Sequence, residues 1–134
     1  MLAAMNGHIE IVQYLHSQGA SVNKQDDKAR TALILSSMNG HIEVVHYLCQ
    51  EGANVNKRDE KGRSALVFAA MNGHMEIVEY LCSQRAKVDQ GDYDGKSPVQ
   101  YAREHGHAEI EGYLEDLCSE ASAMAAKPAS NDDW

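Results

Sequence analysis

Asn39-Gly40-His41-Ile42-Glu43-Val44-Val45-His46-Tyr47-Leu48-Cys49 returns 33 residues on as Asn72-Gly73-His74-Met75-Glu76-Ile77-Val78-Glu79-Tyr80-Leu81-Cys82. The same step holds outward from this pair. Asn6-Gly7-His8, followed by Ile9-Glu10-Ile11-Val12-Gln13-Tyr14-Leu15-His16, lies one period earlier, and His105-Gly106-His107 is a degraded copy one period later. A fixed period of this length marks one supersecondary unit stacked on copies of itself.

The unit from Asp26 to Arg58 shows how each copy is built. Thr31 is placed to cap a short helix through Ala32, Leu33, Ile34, Leu35, Ser36, Ser37 and Met38. Asn39-Gly40 breaks that helix, because Gly tolerates the positive φ of a tight helix–helix turn. In a second helix, Ile42, Val45, Leu48 and Cys49 fall at three- and four-residue steps and make one apolar stripe. Gly52 ends it in the left-handed region, and Ala53 to Asp59 leads out as a polar connector. One such helix pair cannot bury its stripe alone, so the units must pack on one another. The fold expected is all-α.

These residues resemble the ankyrin repeat family. The family's features appear here as Ala69-Ala70, Asn72-Gly73-His74, Glu43-Val44-Val45, Gly52-Ala53 and Val55-Asn56, in four units from Met1 to about Leu117. The resemblance implies a solenoid of stacked helix-turn-helix units with short β-hairpin connectors. The units fall at about 1–25, 26–58, 59–91 and 92–117, followed by a helix extension and tail over 118–134. Several positions depart from the family pattern. Its Thr-Pro-Leu-His stands as Thr31-Ala32-Leu33-Ile34, Ser64-Ala65-Leu66-Val67 and Ser97-Pro98-Val99-Gln100. Ala29 stands where later units have Gly62 and Gly95, and Arg85 where earlier ones have Gly19 and Gly52. A non-Gly residue held in the left-handed region costs about 1 kcal/mol.

The ends differ. Leu2, Ala3, Ile9, Val12 and Leu15 are as apolar as their internal counterparts, although terminal repeats usually carry a polar outer face. This leaves an uncapped N-terminal face, open to self-association or to a neighbour in a longer array. In the fourth unit Arg103, Glu104, Glu109, Glu111, Glu115 and Asp116 replace apolar or neutral equivalents, as in a C-terminal cap. Ser119 to Lys127 is suited to extending the last helix until Pro128, and Ala129 to Trp134 reads as a tail.

The 134 residues carry 12 basic and 20 acidic side chains, a net charge of -8, which argues against a nucleic-acid surface. No apolar run is long enough to span a membrane. Three cysteines, an odd number, fit a reducing compartment, so a cytoplasmic or nuclear location is expected. His-x-Glu occurs in every unit, but no downstream Pro-Cys-x-x-Cys completes a zinc site. Cys49 and Cys82 read as small packing hydrophobes. No nucleophile-elbow, phosphate-loop or dinucleotide-binding pattern is present. Neither catalysis nor a cofactor is expected.

A binding surface remains. The resemblance implies a concave groove between hairpin tips and inner helices, occupied by a protein or peptide partner. Mapped onto this chain it offers Arg30, Arg63 and Lys96 as a basic row, Leu35, Phe68 and Tyr101 on the inner helices, Tyr93 at a tip, and Met38 and Met71 at one repeated position. Two other readings stand beside it. One is a structural spacer within a longer array. The other is a substrate for an asparaginyl hydroxylase at Asn23 and Asn56, each eight residues after a Leu, as the family's modified repeats have.

Overall fold

The structure, a computed structural model, describes the backbone of residues 2–126 and the side chains of 2–119. Eight helices follow in order: α1 (Leu2–Met5), α2 (Ile9–Ser17), α3 (Ala32–Met38), α4 (Ile42–Gln50), α5 (Ala65–Met71), α6 (Met75–Ser83), α7 (Pro98–Glu104) and α8 (Ala108–Ala126). The odd-numbered helices form an inner layer and the even-numbered ones an outer layer, each pair packing on the next. The positions expected for Pro128, the tail and Trp134 lie outside the described residues.

Local chemistry sets the inner helices. The hydroxyls of Thr31, Ser64 and Ser97 accept from the amides of Ile34, Val67 and Gln100. Ser97 completes a capping box, its own amide donating to Gln100 Oε1 at 2.8 Å. Each inner helix then stops at a residue followed by Gly with φ near +77°, for example Gly40 at +78° and Gly73 at +76°. Beyond this turn a Glu lies in the first turn of every outer helix, where its charge suits the helix dipole.

The core lies between the layers. Leu48 and Leu81 are buried, as the apolar stripe predicts, together with Val44, Val45, Ile77 and Val78. The stripe is thus one residue wider than the spacing alone suggests, because each outer helix touches its own inner helix and the preceding outer helix. Ser36 Oγ donates back to the Ala32 carbonyl at 2.9 Å, as expected of a mid-helix serine. Ser37 departs from that expectation: its hydroxyl is buried and has no partner among the described residues.

The connectors also differ from the hairpins expected. No strand forms among the described residues, and the only ladder contact there is a single bridge from Arg58 to Ser64. Each tip closes through its leading Asp, whose amide donates to the carbonyl four residues on, at 2.9 Å in all three cases: Asp26 to Arg30, Asp59 to Arg63 and Asp92 to Lys96. A loop this short has room for one pairing and no ladder.

Candidate partner-binding site

Three tips, joined in sequence to three inner helices, make up the side on which the resemblance places a binding groove. The tips are rigid because their Asp side chains are consumed locally. Asp59 is buried, and its Oδ1 accepts from the amides of Lys61 at 2.9 Å and Arg63 at 2.8 Å. Asp26 does the same for Lys28 and Arg30, and Asp92 for Asp94 and Lys96. Neighbouring tips are then joined through backbone, Glu60 N donating to Lys28 O and Tyr93 N to Lys61 O, both at 3.0 Å. The second junction needs a glycine. A Cβ at Gly62, where φ is +82°, would lie 2.7 Å from Tyr93 N.

The charges of the basic row are taken up within their own units. Arg30 Nε donates to Asp26 Oδ2 at 2.8 Å, and Arg63 Nη2 lies 3.0 Å from Asp59 Oδ2. Lys96 turns instead to Glu104 at 2.8 Å, because the hydroxyl of Tyr101 has taken Asp92 Oδ2. That bond leaves its mark on both partners. Burial acts to raise the Asp92 carboxyl, but the Tyr101 hydroxyl and the Lys96 and Asp94 amides outweigh it and hold the group below the usual carboxylate range. Burial, and then the bond to Asp92, push Tyr101 up to about 12.

Leu35, Phe68 and Tyr101, expected on the binding side, have little surface free. They are buried at 3%, 4% and 8% exposure. The Arg63 guanidinium lies 4.7 Å from the Phe68 ring centre and the Lys96 ammonium 4.9 Å from that of Tyr101, covering both rings. Met38 and Met71 are half-buried against the core. Tyr93 is exposed, with Arg58 over its ring at 5.0 Å. The exposed polar side chains beside the basic row are those of Asp27, Lys28, Glu60, Lys61 and Asp94. Sequence reasoning weighted the row itself, whose i,i+4 spacing from Asp26 and Asp59 already allowed pairing within the tip.

Two sets of residues singled out by their repetition have structural work. His74 and His107 donate through Nε2 to the carbonyls of Met38 and Met71, at 3.1 and 3.0 Å, and so tie each unit to the one before. Their rings lie against Gly40 and Gly73, where a Cβ would meet ring atoms at 2.8 and 2.7 Å. Asn23 Oδ1 accepts from Asn54 N at 2.8 Å while its Nδ2 donates to Gly52 O, and Asn56 repeats this with Lys87 N and Arg85 O. The amides expected as hydroxylation positions are thus clamps between successive units.

Burial pushes the Cys49 and Cys82 thiols up to about 11, so both are protonated packing groups at neutral pH. Among the described residues no group of three His, Cys, Asp or Glu side chains could hold a metal ion. No described helix is long and apolar enough to cross a membrane.

A family model for ankyrin repeats in three copies matches residues 1–59 and 52–122. The chain belongs to the ankyrin repeat family. No curated protein matches it. Ankyrin repeats generally act as protein–protein interaction modules and are typically non-enzymatic. The eight described helices fit an all-α repeat solenoid.

Proposed function

We propose that this ankyrin chain is a non-catalytic module that holds a partner protein or peptide along its concave side. The observation carrying this reading is the contrast within each tip. Asp26, Asp59 and Asp92 lock the backbone, while Asp27, Lys28, Glu60, Lys61 and Asp94 stand exposed on the locked frame. A rigid frame loses little entropy when its side chains are engaged, which favours binding. Met38 and Met71 line the adjoining strip and can adapt to a partner's apolar side chains. Mixed charges at the tips suit a partner segment that also alternates in sign.

The test is affinity capture with three forms of the chain. Lys28→Glu with Lys61→Glu reverses the tips, and Glu43→Lys with Glu76→Lys reverses the outer helices. Partners held by the wild type and the outer-helix variant, and lost by the tip variant, support the groove. The opposite pattern sinks it.

A further inference from the structure

Charge is segregated across this chain. The outer helices α2, α4, α6 and α8 contain acidic residues and no Lys or Arg. Among the described residues every Lys and Arg but Arg103 lies in a connector. Two kinds of cation occur there. Arg30, Arg63 and Lys96 are paired with carboxylates of their own units. Lys28, Arg58 and Lys61 have no carboxylate partner among the described residues, and neither do Lys24 and Lys57 in the same connectors. The acids left unpaired at these tips are Asp27 and Glu60, since Asp26 and Asp59 hold Arg30 and Arg63. The tips of the second and third units are thus cationic on a chain of net charge -8.

This exposure is internal to the stack. Tips on both sides bond the third unit's tip, through Glu60 N to Lys28 O and Tyr93 N to Lys61 O, yet Lys61 stays exposed. Beside it the Arg58 guanidinium lies over the exposed Tyr93 ring, 5.0 Å from its centre. A ring contact places a guanidinium without using its fork of N–H donors, and that fork fits a carboxylate through two parallel bonds.

We propose that the tips of the second and third units receive an acidic segment of a partner protein, one Asp or Glu engaging Arg58 beside Tyr93 and others facing Lys28 and Lys61. Resting on the tip-side docking proposed above, this assignment adds the sign of the partner. Asp27 and Glu60 stand next to Lys28 and Lys61 in sequence, so the partner's acids are spaced by neutral residues. An unbroken polyanion, nucleic acid included, meets like charge there. The carboxylates of the outer helices repel the same segment and direct its approach to the tips.

NMR titration of the chain with a synthetic peptide of Glu spaced by Ser and Leu tests this, beside a counterpart with Lys in place of Glu. The Glu peptide should move the amides of Lys28, Arg58, Lys61 and Tyr93, and its binding should weaken as salt is raised. Arg58→Gln should weaken it about tenfold, and Arg58→Lys less, because the charge stays while the fork is lost. Lys87→Gln, at an exposed cation outside the tips, should leave it unchanged. Equal losses from Lys87→Gln and Arg58→Gln would show diffuse attraction and overturn the proposal. Tip shifts caused by the Lys peptide and not by the Glu peptide would also overturn it, while leaving the tip-side docking in place with the opposite sign. Shifts confined to the outer helices, or none with either peptide up to millimolar concentration, overturn the acidic assignment as well. Affinity capture with the charge-reversed tips then decides the tip-side docking separately.

Discussion

Arg85 ends α6 with φ at +69°, in the place where Gly19 and Gly52 adopt +98° and +93°. The geometry is the usual helix stop: Arg85 N donates to Cys82 O and Ala86 N to Leu81 O. Only the side chain is out of keeping, so Arg85→Gly should raise the urea midpoint by an amount equivalent to about 1 kcal/mol. The one bond received at that residue, from Asn56 Nδ2, goes to the backbone carbonyl and survives the change. Ser37 is the second misfit. Its hydroxyl is buried and unpaired, while the equivalent positions hold Ala4 and Ala70. Ser37→Ala should stabilise the chain by about 1 kcal/mol, read as a higher thermal midpoint, because an unmet hydroxyl is removed without opening a large cavity. Titration gives a third expectation. Asp26 and Asp92 are both held below the usual carboxylate range, so their stabilising contribution is complete above their unfolded pKa and is lost as pH falls through the lower folded value. Unfolding midpoints should therefore drop below about pH 4. In Tyr101→Phe the Asp92 titration followed by NMR should move upward, since its hydroxyl donor is gone.

At the scale of the element, helix pairs are what the residues announce most openly. The three- and four-residue steps around Leu48 and Leu81, the capping Thr31, Ser64 and Ser97, and the Asn-Gly breaks all specify helices where helices form. The connectors were less legible, since hydrogen bonding in a short tip depends on which way the Asp side chain turns, and it turns inward to its own loop. At the tips the residue types were legible but their pairing was not. Arg30, Arg63 and Lys96 read as a basic row, yet each is paired within its own unit, and the apolar residues beside them are buried. The inter-unit clamps were hidden for the same reason. Asn56 carries two bonds to the third unit, and Asn56→Ala should cost about 1–2 kcal/mol in denaturant titration. The third copy is Asp89, and no clamp is needed there: α8 runs on past Cys118 where earlier outer helices have already turned at Gly52 and Arg85. Truncating Leu48 or Leu81 to Ala should cost about 2–5 kcal/mol, as both lie fully within the core.

Across the whole molecule, a solenoid's stability is a sum of units and the interfaces between them, so a terminal unit with one interface opens first. The two ends of this chain should open differently. α1 is a four-residue helix, shorter than any inner helix that follows, and α2 packs against α1 and α4. Beside it a pocket open to solvent is lined by Ala4, Val12, Leu15, Ala20, Val22 and Leu48. The fourth unit, by contrast, has the capping box at Ser97, the Tyr101–Asp92 bond and the Arg103–Glu111 bond to hold its outward side. Amide hydrogen exchange in dilute solution should therefore show a gradient and not a symmetric profile. Ile9 to Leu15 should exchange through local opening, at a free energy well below that of global unfolding. Val44 to Leu48 and Ile77 to Leu81 should approach the global limit, with Ile110 to Leu114 close behind. Equal protection in α2 and α4 under dilute conditions would show that the first unit is as firmly held as the second, and the account of an open N-terminal face would fail with it.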